Sequence, residues 1–460
     1  MNKKYRRPAR YLKDILGDEY FLTDPADIAC YSFDASGLES MPWAVALPKE
    51  TVQVSKILEL ASREGIPVVP RGAGSGTTGA SIPVSESLVV SLARMNRIKS
   101  IEPVELSAVV EPGVITGHLQ EAVQGKGLFY PPDPASLSFC TIGGNVNTCA
   151  GGARAVKYGV TRDYVRALEV VLAGGRVIRV GASTAKGVVG YDLRHLFVGA
   201  EGTLGIVTEI TLKLLPLPEA VGTAAAVFES SSAAMDAVTC LFRSGILPRC
   251  AEFMDRMSLG CVRKQLPFDV GSGAEALLLV EVDGQETSIS PQMEKVTGCL
   301  ISGGAKDVFR ASGARDAESL WRARRGLSPA IKGLGFDVKI SEDICVPRSK
   351  LSAMLDFLSR AARGFPVTIL TFGHAGDGNL HVNLLFNRKE VDSEAKIQEL
   401  IGVIMKKTLE LGGTISGEHG IGLSKKPFIR LELTGEVLEL HRHIKEVFDP
   451  GNILNPHKVF

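Results

Sequence analysis

Glycine constrains this chain more than any other feature: 49 of its 460 residues are Gly, gathered in short runs between apolar stretches. A glycine-dense run marks backbone that approaches something closely or takes dihedrals other residues avoid. The first run, Arg71 to Gly79, lies between two short apolar strands, Ile66-Pro-Val-Val-Pro and Leu88-Val-Val-Ser-Leu. Others occupy 143–152 and 195–208. Several such loops in one half of a chain point to one long ligand. Gly74-Ser-Gly-Thr-Thr-Gly79 fits G-x-G-x-x-G, but a dinucleotide fingerprint must open a helix that receives the pyrophosphate. Here the chain continues through Ala80-Ser-Ile-Pro83-Val without helical period, so a Rossmann site is not expected. A loop of this kind still holds an anion through consecutive N–H groups, with Ser75, Thr77 and Thr78 adding hydroxyl donors. Arg71, at its entrance, either adds charge or pins the loop.

A chain this long exceeds one core, so two or three domains are expected. Residues 51–64 read as an amphipathic helix closed by Gly65, and 107–111 and 166–172 as strands. Composition shifts at Pro216-Leu-Pro218, which sets the first boundary; the expected domains are 1–217, 218–425 and 426–460, the last a helix and tail. Beyond that shift, strand-like runs (223–228, 276–282) mix with helix-like runs (231–244, 293–302, 315–327), as in an α+β domain with an antiparallel sheet. A helix over 434–448, capped by Thr434, should bury the stripe Val437, Leu440, Ile444 and Val447 and return the C-terminal tail to the first domain.

The net charge of +1 favours neither nucleic acid nor an anionic membrane as partner. The basic start runs into a charged segment, so no secretory signal is expected, and no stretch approaches ~18 apolar residues. Eight cysteines lie at 30, 140, 149, 240, 250, 261, 299 and 345 without CxxC or iron–sulfur spacing. Reduced thiols in a cytoplasmic protein are the expectation.

A second constellation is Thr371-Phe-Gly-His374-Ala-Gly-Asp-Gly-Asn-Leu-His381-Val-Asn383, two apolar strands around Asp377-Gly378. A turn centred there pairs residues whose numbers sum to 755, which sets His374 opposite His381. Opposed residues share a face with Cβ atoms ~5 Å apart, and Asn383 shares it by the period of two. Two adjacent imidazoles suit a divalent metal. Gly413-Thr-Ile-Ser-Gly-Glu418-His419-Gly420 supplies a carboxylate beside a further imidazole. His374, His381 and Glu418 would form a two-His, one-carboxylate site open to zinc, manganese or iron(II).

The order of motifs resembles the FAD-binding domain of the vanillyl-alcohol oxidase superfamily. The motifs are Pro70-Arg71-Gly72-Ala73-Gly74-Ser75-Gly76-Thr77-Thr-Gly79, Glu111-Pro-Gly-Val, Pro131-Pro132-Asp133-Pro134, Thr141-Ile142-Gly143-Gly144-Asn145, Lys157-Tyr158-Gly159 and Gly202-Thr-Leu-Gly205-Ile206-Val207. The resemblance implies an α+β fold: a PCMH-type FAD-binding domain of two subdomains with FAD between them, plus an α+β cap domain with an antiparallel sheet. The first loop would hold the pyrophosphate. The Pro-Asp-Pro segment with Ser136, and the Ile-Gly-Gly-Asn segment, would line the flavin, and Glu201 to Val207 would approach the adenosine side. Tyr158, Gly159 and Asn455 complete the implied cofactor set. Some members tether FAD through a histidine in the first loop; none lies between 66 and 82 here, so FAD is expected to be non-covalent.

The second half resembles the C-terminal domain of FAD-linked oxidases such as the glycolate oxidase catalytic subunit, D-lactate dehydrogenase and D-2-hydroxyglutarate dehydrogenase. That resemblance makes His374, His381 and Glu418 metal ligands, His419 the catalytic acid/base and Asn383 a polar group near substrate. Leu320-Trp-Arg-Ala-Arg-Arg325 with Ser328-Pro-Ala330 is similar to the family's carboxylate-binding helix. Arg324 is then the anion-binding arginine, Ser328 its partner one turn on, and Lys339 a further substrate-binding cation. The implied activity is oxidation of a small (D-)2-hydroxy acid, such as D-lactate or glycolate, to the 2-oxo acid. The implied electron acceptor is external: an electron-transfer flavoprotein, an iron–sulfur subunit or a quinone chain. The assembly would be a homodimer or one subunit of a complex. Alternatives are D-2-hydroxyglutarate oxidation, a non-catalytic flavin subunit, and a metallohydrolase that would leave the glycine loops unexplained.

Overall fold

The computed structural model describes residues 3–84, 86–390 and 394–460. The chain forms two compact units, one of Met1–Gly151, Val160–Leu217 and Glu418–Phe460, the other of Gly152–Gly159 and Pro218–Gly417. Among the described residues no helix is long and apolar enough to cross a membrane.

The first unit carries two larger sheets. One contains β1 (Phe21–Leu22), β2 (Ala44–Ala46), β3 (Val68–Arg71) and β4 (Leu88–Ser91) in the order β1-β2-β4-β3. β4 pairs in parallel with both β2 and β3, which requires crossovers. The helix Thr51–Glu64 supplies the link between β2 and β3: Val54, Ile57, Leu58 and Ala61 are buried, and Gly65 ends it at φ 61°. Val52, counted into its apolar pattern by sequence, faces outward. The second sheet is antiparallel: β5 (Ile98–Glu102), β6 (Ser107–Val110), β8 (Val165–Val171), β9 (Val177–Gly181) and β10 (Ile206–Lys213), ordered β5-β6-β10-β8-β9. A small ladder joins β7 (Leu128–Phe129) to β11 (Leu215–Pro216).

The second unit is built on one antiparallel sheet of seven strands: β12 (Ala220–Phe228), β13 (Cys250–Asp255), β14 (Ala276–Gly284), β15 (Asp307–Arg310), β16 (Val338–Cys345), β17 (Thr368–His374) and β18 (Asn379–Phe386). Their order is β15-β12-β14-β13-β17-β18-β16. The expected α+β class, with two subdomains in the first unit and an antiparallel sheet in the second, is the observed architecture.

Three expectations are corrected. The second division falls at 417/418, not 425/426. Thr414 exchanges both backbone hydrogen bonds with Cys345 at the end of β16, and the Gly417 N–H donates to Asp343, so this stretch belongs to the second unit. Beyond it, the N–H groups of Ile421 and Gly422 donate to Glu201 in the first unit. The short segment 152–159 belongs to the second unit because Lys157 and Tyr158 both bind Asp283 on β14. Finally, Thr434 does cap the helix Gly435–Phe448, but the stripe proposed for its buried face is not buried. Leu438 is 4% exposed, whereas Leu440 and Val447 are 62% and 78% exposed. The face that packs is the one carrying Leu438 and Lys445, whose ammonium donates to the carbonyls of Thr203 and Leu454. The tail does return to the first unit, where Ile453 and Asn455 bond the backbone of Val68 on the free edge of β3.

Candidate active site

In the first unit, the glycine-rich loop leaves β3 at Arg71. Arg71 is buried and donates to the Phe33 carbonyl at 2.7 Å, so of its two expected roles it performs the pinning one. Gly74 lies at φ 68°, and a Cβ there would sit 2.1 Å from the Arg71 guanidinium; no side chain fits this turn. Among the described residues no helix lies between the loop and β4, which excludes the Rossmann geometry. The Thr77 hydroxyl is buried without a hydrogen-bond partner among the described residues, as an anion-binding loop requires of a donor.

Thr141 caps the short helix Ile142–Thr148 by accepting from the Gly144 N–H. Asn145, expected at the cofactor, spends its amide on the Thr116 hydroxyl at 2.8 Å, and Gly143 packs against Pro112. Gly202 stands at φ 73° with Pro70 directly over it, and Gly205 abuts Val170, so this glycine pair locks loop to strand. Glu201 and Asn455 each hold neighbouring backbone. The Glu201 carboxylate, with its pKa pushed up to about 7 by burial, accepts from Ile421 and Gly422 at 2.6 and 2.8 Å. Asn455 donates to the carbonyls of Ala80 and Glu201. Thr78 also accepts from Leu423 and Ser424 and donates to the His419 carbonyl. The glycine loop and the segment carrying Glu418 and His419 are therefore one hydrogen-bonded body. Within it the Glu418 carboxylate lies against Gly151, where a Cβ would be 2.7 Å from Oε2, and 3.8 Å from the His419 ring. Pro132, Asp133, Pro134 and Ser136 follow β7 in the same unit; the Pro132 carbonyl accepts from Gln120.

Tyr158 and Gly159 are in the second unit, with the Tyr158 hydroxyl on Asp283 at 2.8 Å. There the hairpin of β17 and β18 differs from the expected register. Paired numbers sum to 753: His374 faces Asn379, and Phe372 faces His381. The turn holds four residues, Ala375–Gly378, instead of centring on Asp377-Gly378, with Gly378 at φ 91° against the Val346 carbonyl. The slip is an even number, so parity survives and His374 and His381 still share a face, now diagonally. Their rings are 5.1 Å apart and nearly perpendicular.

The same face carries Glu252 opposite His374, Asp343 opposite His381, and Lys339 and Ser341 further along β16. Its other part, with Met254, Leu370, Phe372 and Leu385, is apolar and packs on Leu320, Ala323, Leu327 and Ile331. Helical packing thus covers one area of the face and leaves a polar one. Asn383 is fully buried, its amide on the carbonyls of Leu370 and His381, and its Oδ1 has no partner among the described residues. Arg324 is buried too, and its Nε and Nη2 donate to Glu252 at 2.7 and 2.6 Å with the guanidinium over Phe372.

Ser328 is not the partner of Arg324. The expected helix over 315–327 is interrupted: one helix ends at Arg325, Gly326 intervenes, and a second runs Leu327–Lys332. The Ser328 hydroxyl instead accepts from Lys339 at 2.9 Å. Lys339 is half-buried, which together with the nearby Lys332 lowers its pKa to about 8.

Two groups were not anticipated from sequence. Asp343, fully buried, accepts from Asn379 at 2.5 Å and lies 3.7 Å from the His381 ring. Glu252, also fully buried, holds both His374 and Arg324. The available signal was carboxylate inside strand-like sequence, one in Cys-Ala-Glu-Phe-Met and an adjacent pair in Lys-Ile-Ser-Glu-Asp-Ile-Cys, since a buried charge demands a partner.

Comparison with known proteins bears on these residues. Residues 217–459 match the family model of FAD linked oxidases, C-terminal domain, and residues 42–181 match an FAD binding domain. The chain is 42% identical to glycolate oxidase subunit GlcD of Bacillus subtilis, covering 98% of this chain and 96% of that protein. It is 35% identical to D-lactate dehydrogenase of Anaerostipes hadrus, over 92% of this chain and 90% of that one. Among solved structures, 4-ethylphenol oxidase from Gulosibacter chungangensis superimposes with a TM-score of 0.80 at 20% identity, covering 100% of this chain and 97% of that one, and shares the fold.

Proposed function

The chain belongs to the FAD-linked oxidases, and from that starting point we propose that it oxidises a small 2-hydroxy acid, D-lactate or glycolate, to the 2-oxo acid. It is an FAD-dependent oxidoreductase. The observation that carries the substrate class is the polar area on one sheet face, where two imidazoles stand with a lysine and a buried arginine near a lone amide oxygen. A hydroxy acid presents a carboxylate and a hydroxyl, and these groups match both.

The imidazoles of His374 and His381 and the Glu418 carboxylate are the donor types a divalent cation takes, and would hold it. The first-unit loop fits FAD, with the Thr77 hydroxyl and the N–H groups of 72–77 as donors to its phosphates. When bound, FAD supplies the hydride acceptor and the cation supplies positive charge beside the substrate hydroxyl. The protein's part is binding and proton management. Arg324 offers its Nη1 edge to the carboxylate, since Nε and Nη2 are engaged by Glu252. Lys339 adds a second cation, held in place by Ser328. His419 takes the hydroxyl proton, the work of an imidazole near neutral pH. FAD is held non-covalently, and electrons pass to an external acceptor. The Bacillus subtilis relative is named as a subunit, which supports assembly into a complex.

Anaerobic titration of the flavin-loaded chain tests this. One acid among D-lactate, L-lactate, glycolate and D-2-hydroxyglutarate should bleach the flavin band near ~450 nm, and a chelator should prevent it. A flavin that no hydroxy acid bleaches would refute the substrate class and favour a non-catalytic flavin subunit.

Lys339 gives this reading a pH dependence. A lysine that binds carboxylate does so only while charged, so its contribution is present below about 8 and lost as pH rises through that value. In the free enzyme kcat/KM should fall above that pH while kcat stays nearly level. Lys339→Arg should move the break upward, and a break unmoved by that substitution would remove Lys339 from substrate binding.

A further inference from the structure

Glu252 is a fully buried carboxylate of the second unit, and its connections are divided in an unusual way. An arginine and a carboxylate ordinarily pair two by two, each oxygen taking one N–H. Here both Arg324 nitrogens, Nε and Nη2, converge on Oε2 at 2.7 and 2.6 Å. The other oxygen, Oε1, is left for Nδ1 of His374 at 2.6 Å. Glu252 is fully buried, and β13 sets it directly opposite His374 in register. Simple neutralisation of a buried arginine would not require giving up one oxygen to an imidazole.

We propose that Glu252 is a positioning residue that prepares two binding groups at once. By accepting from His374 it keeps a hydrogen on Nδ1, which turns the Nε2 lone pair toward a cation. By accepting from Nε and Nη2 of Arg324 it fixes the guanidinium plane and leaves the Nη1 edge for the substrate carboxylate. Cation affinity and carboxylate affinity are thereby tied to one side chain. The inference rests on the reading of His374 as a metal ligand and Arg324 as the carboxylate anchor.

Glu252→Gln tests it, because the amide has the same shape but only one acceptor. Arg324, a donor only, claims that oxygen. The NH2 then faces His374, whose Nδ1 must become an acceptor, and the hydrogen moves to Nε2, the nitrogen a cation needs. In protein labelled with 15N-histidine and freed of metal, the His374 resonances, identified by their loss in His374→Asn, should report Nδ1–H in the wild type and Nε2–H in Glu252→Gln. Zn2+ affinity of the FAD-loaded chain should fall ~10–100-fold in the variant, with FAD content unchanged. Arg324→Lys, which leaves the His374 bond intact, should keep Zn2+ affinity within about twofold of wild type and raise KM for the hydroxy acid.

Wild-type protein with His374 bearing hydrogen only on Nε2 overturns the proposal without any variant. So does Glu252→Gln that binds Zn2+ as wild type does. Should wild-type protein bind no Zn2+, the metal reading itself falls, while the 15N measurement still decides what Glu252 does to His374.

Discussion

Replacing His419 with alanine is expected to lower turnover by about a thousandfold while FAD content stays that of the wild type. Oxidation of an alcohol cannot finish until its hydroxyl proton has left, and a positioned base contributes on the order of 100- to 10,000-fold. His419 stands in a segment whose backbone is held from several sides: Thr78 donates to its carbonyl, and Glu201 accepts from Ile421 and Gly422 just beyond it. These bonds use backbone or other side chains, so truncating the imidazole leaves them in place. The flavin loop, tied to this segment through Thr78, should therefore survive the substitution. Rapid-mixing reduction of the flavin and the ratio of FAD to protein, measured on the same sample, give the answer. Parallel loss of flavin and turnover would assign His419 a structural role instead.

Substituting His381 with alanine is expected to lower divalent-metal affinity by more than ~100-fold and to abolish reduction of the flavin by hydroxy acid, with the flavin itself retained. The ring is 8% exposed as a side chain, perpendicular to that of His374 and close to Asp343. Its removal takes away one donor of the proposed cation site and leaves Asp343 paired with the Asn379 amide and the Gly417 N–H. The fold of the hairpin should persist, because those backbone and amide bonds do not pass through the imidazole. Metal content by elemental analysis and anaerobic bleaching separate two cases. Unchanged metal content with lost bleaching would move His381 from the cation to the substrate, and unchanged bleaching would remove it from the site altogether.

Much of this site was legible in the sequence because its signals are local. The glycine loop without a following helix, the helix 51–64 with its Gly65 stop, and the Thr434 cap depend on neighbours a few residues apart. The pairing of His374 with His381 on one face was also legible, although the register assumed for it was off by two. Parity along a strand decides facing, and an even slip conserves it. By the same logic the stripe Val437, Leu440, Ile444, Val447 has the right period for a buried face. Periodicity does not say which face a helix presents to its neighbour, and here the packed face carries Leu438 and the part-buried Lys445.

The sequence by itself determined the elements, the glycine turns and the residue types available for chemistry. Tertiary structure decided their partners. Ser328 looked like the companion of Arg324 four residues earlier, yet Gly326 breaks the helix between them and Lys339 takes the hydroxyl. Asn145, Glu201 and Asn455 also bind distant parts of the chain, Thr116, Ile421 and the Glu201 carbonyl, which no local pattern announces. Glu252 lies 122 residues from His374 and 72 from Arg324, and nothing local links them. Their meeting follows from the order β13-β17-β18-β16, and strand order is set by which apolar faces bury together over the whole sheet. A buried carboxylate then takes whichever donors that order delivers, because leaving it unpaired costs more than any local preference can supply.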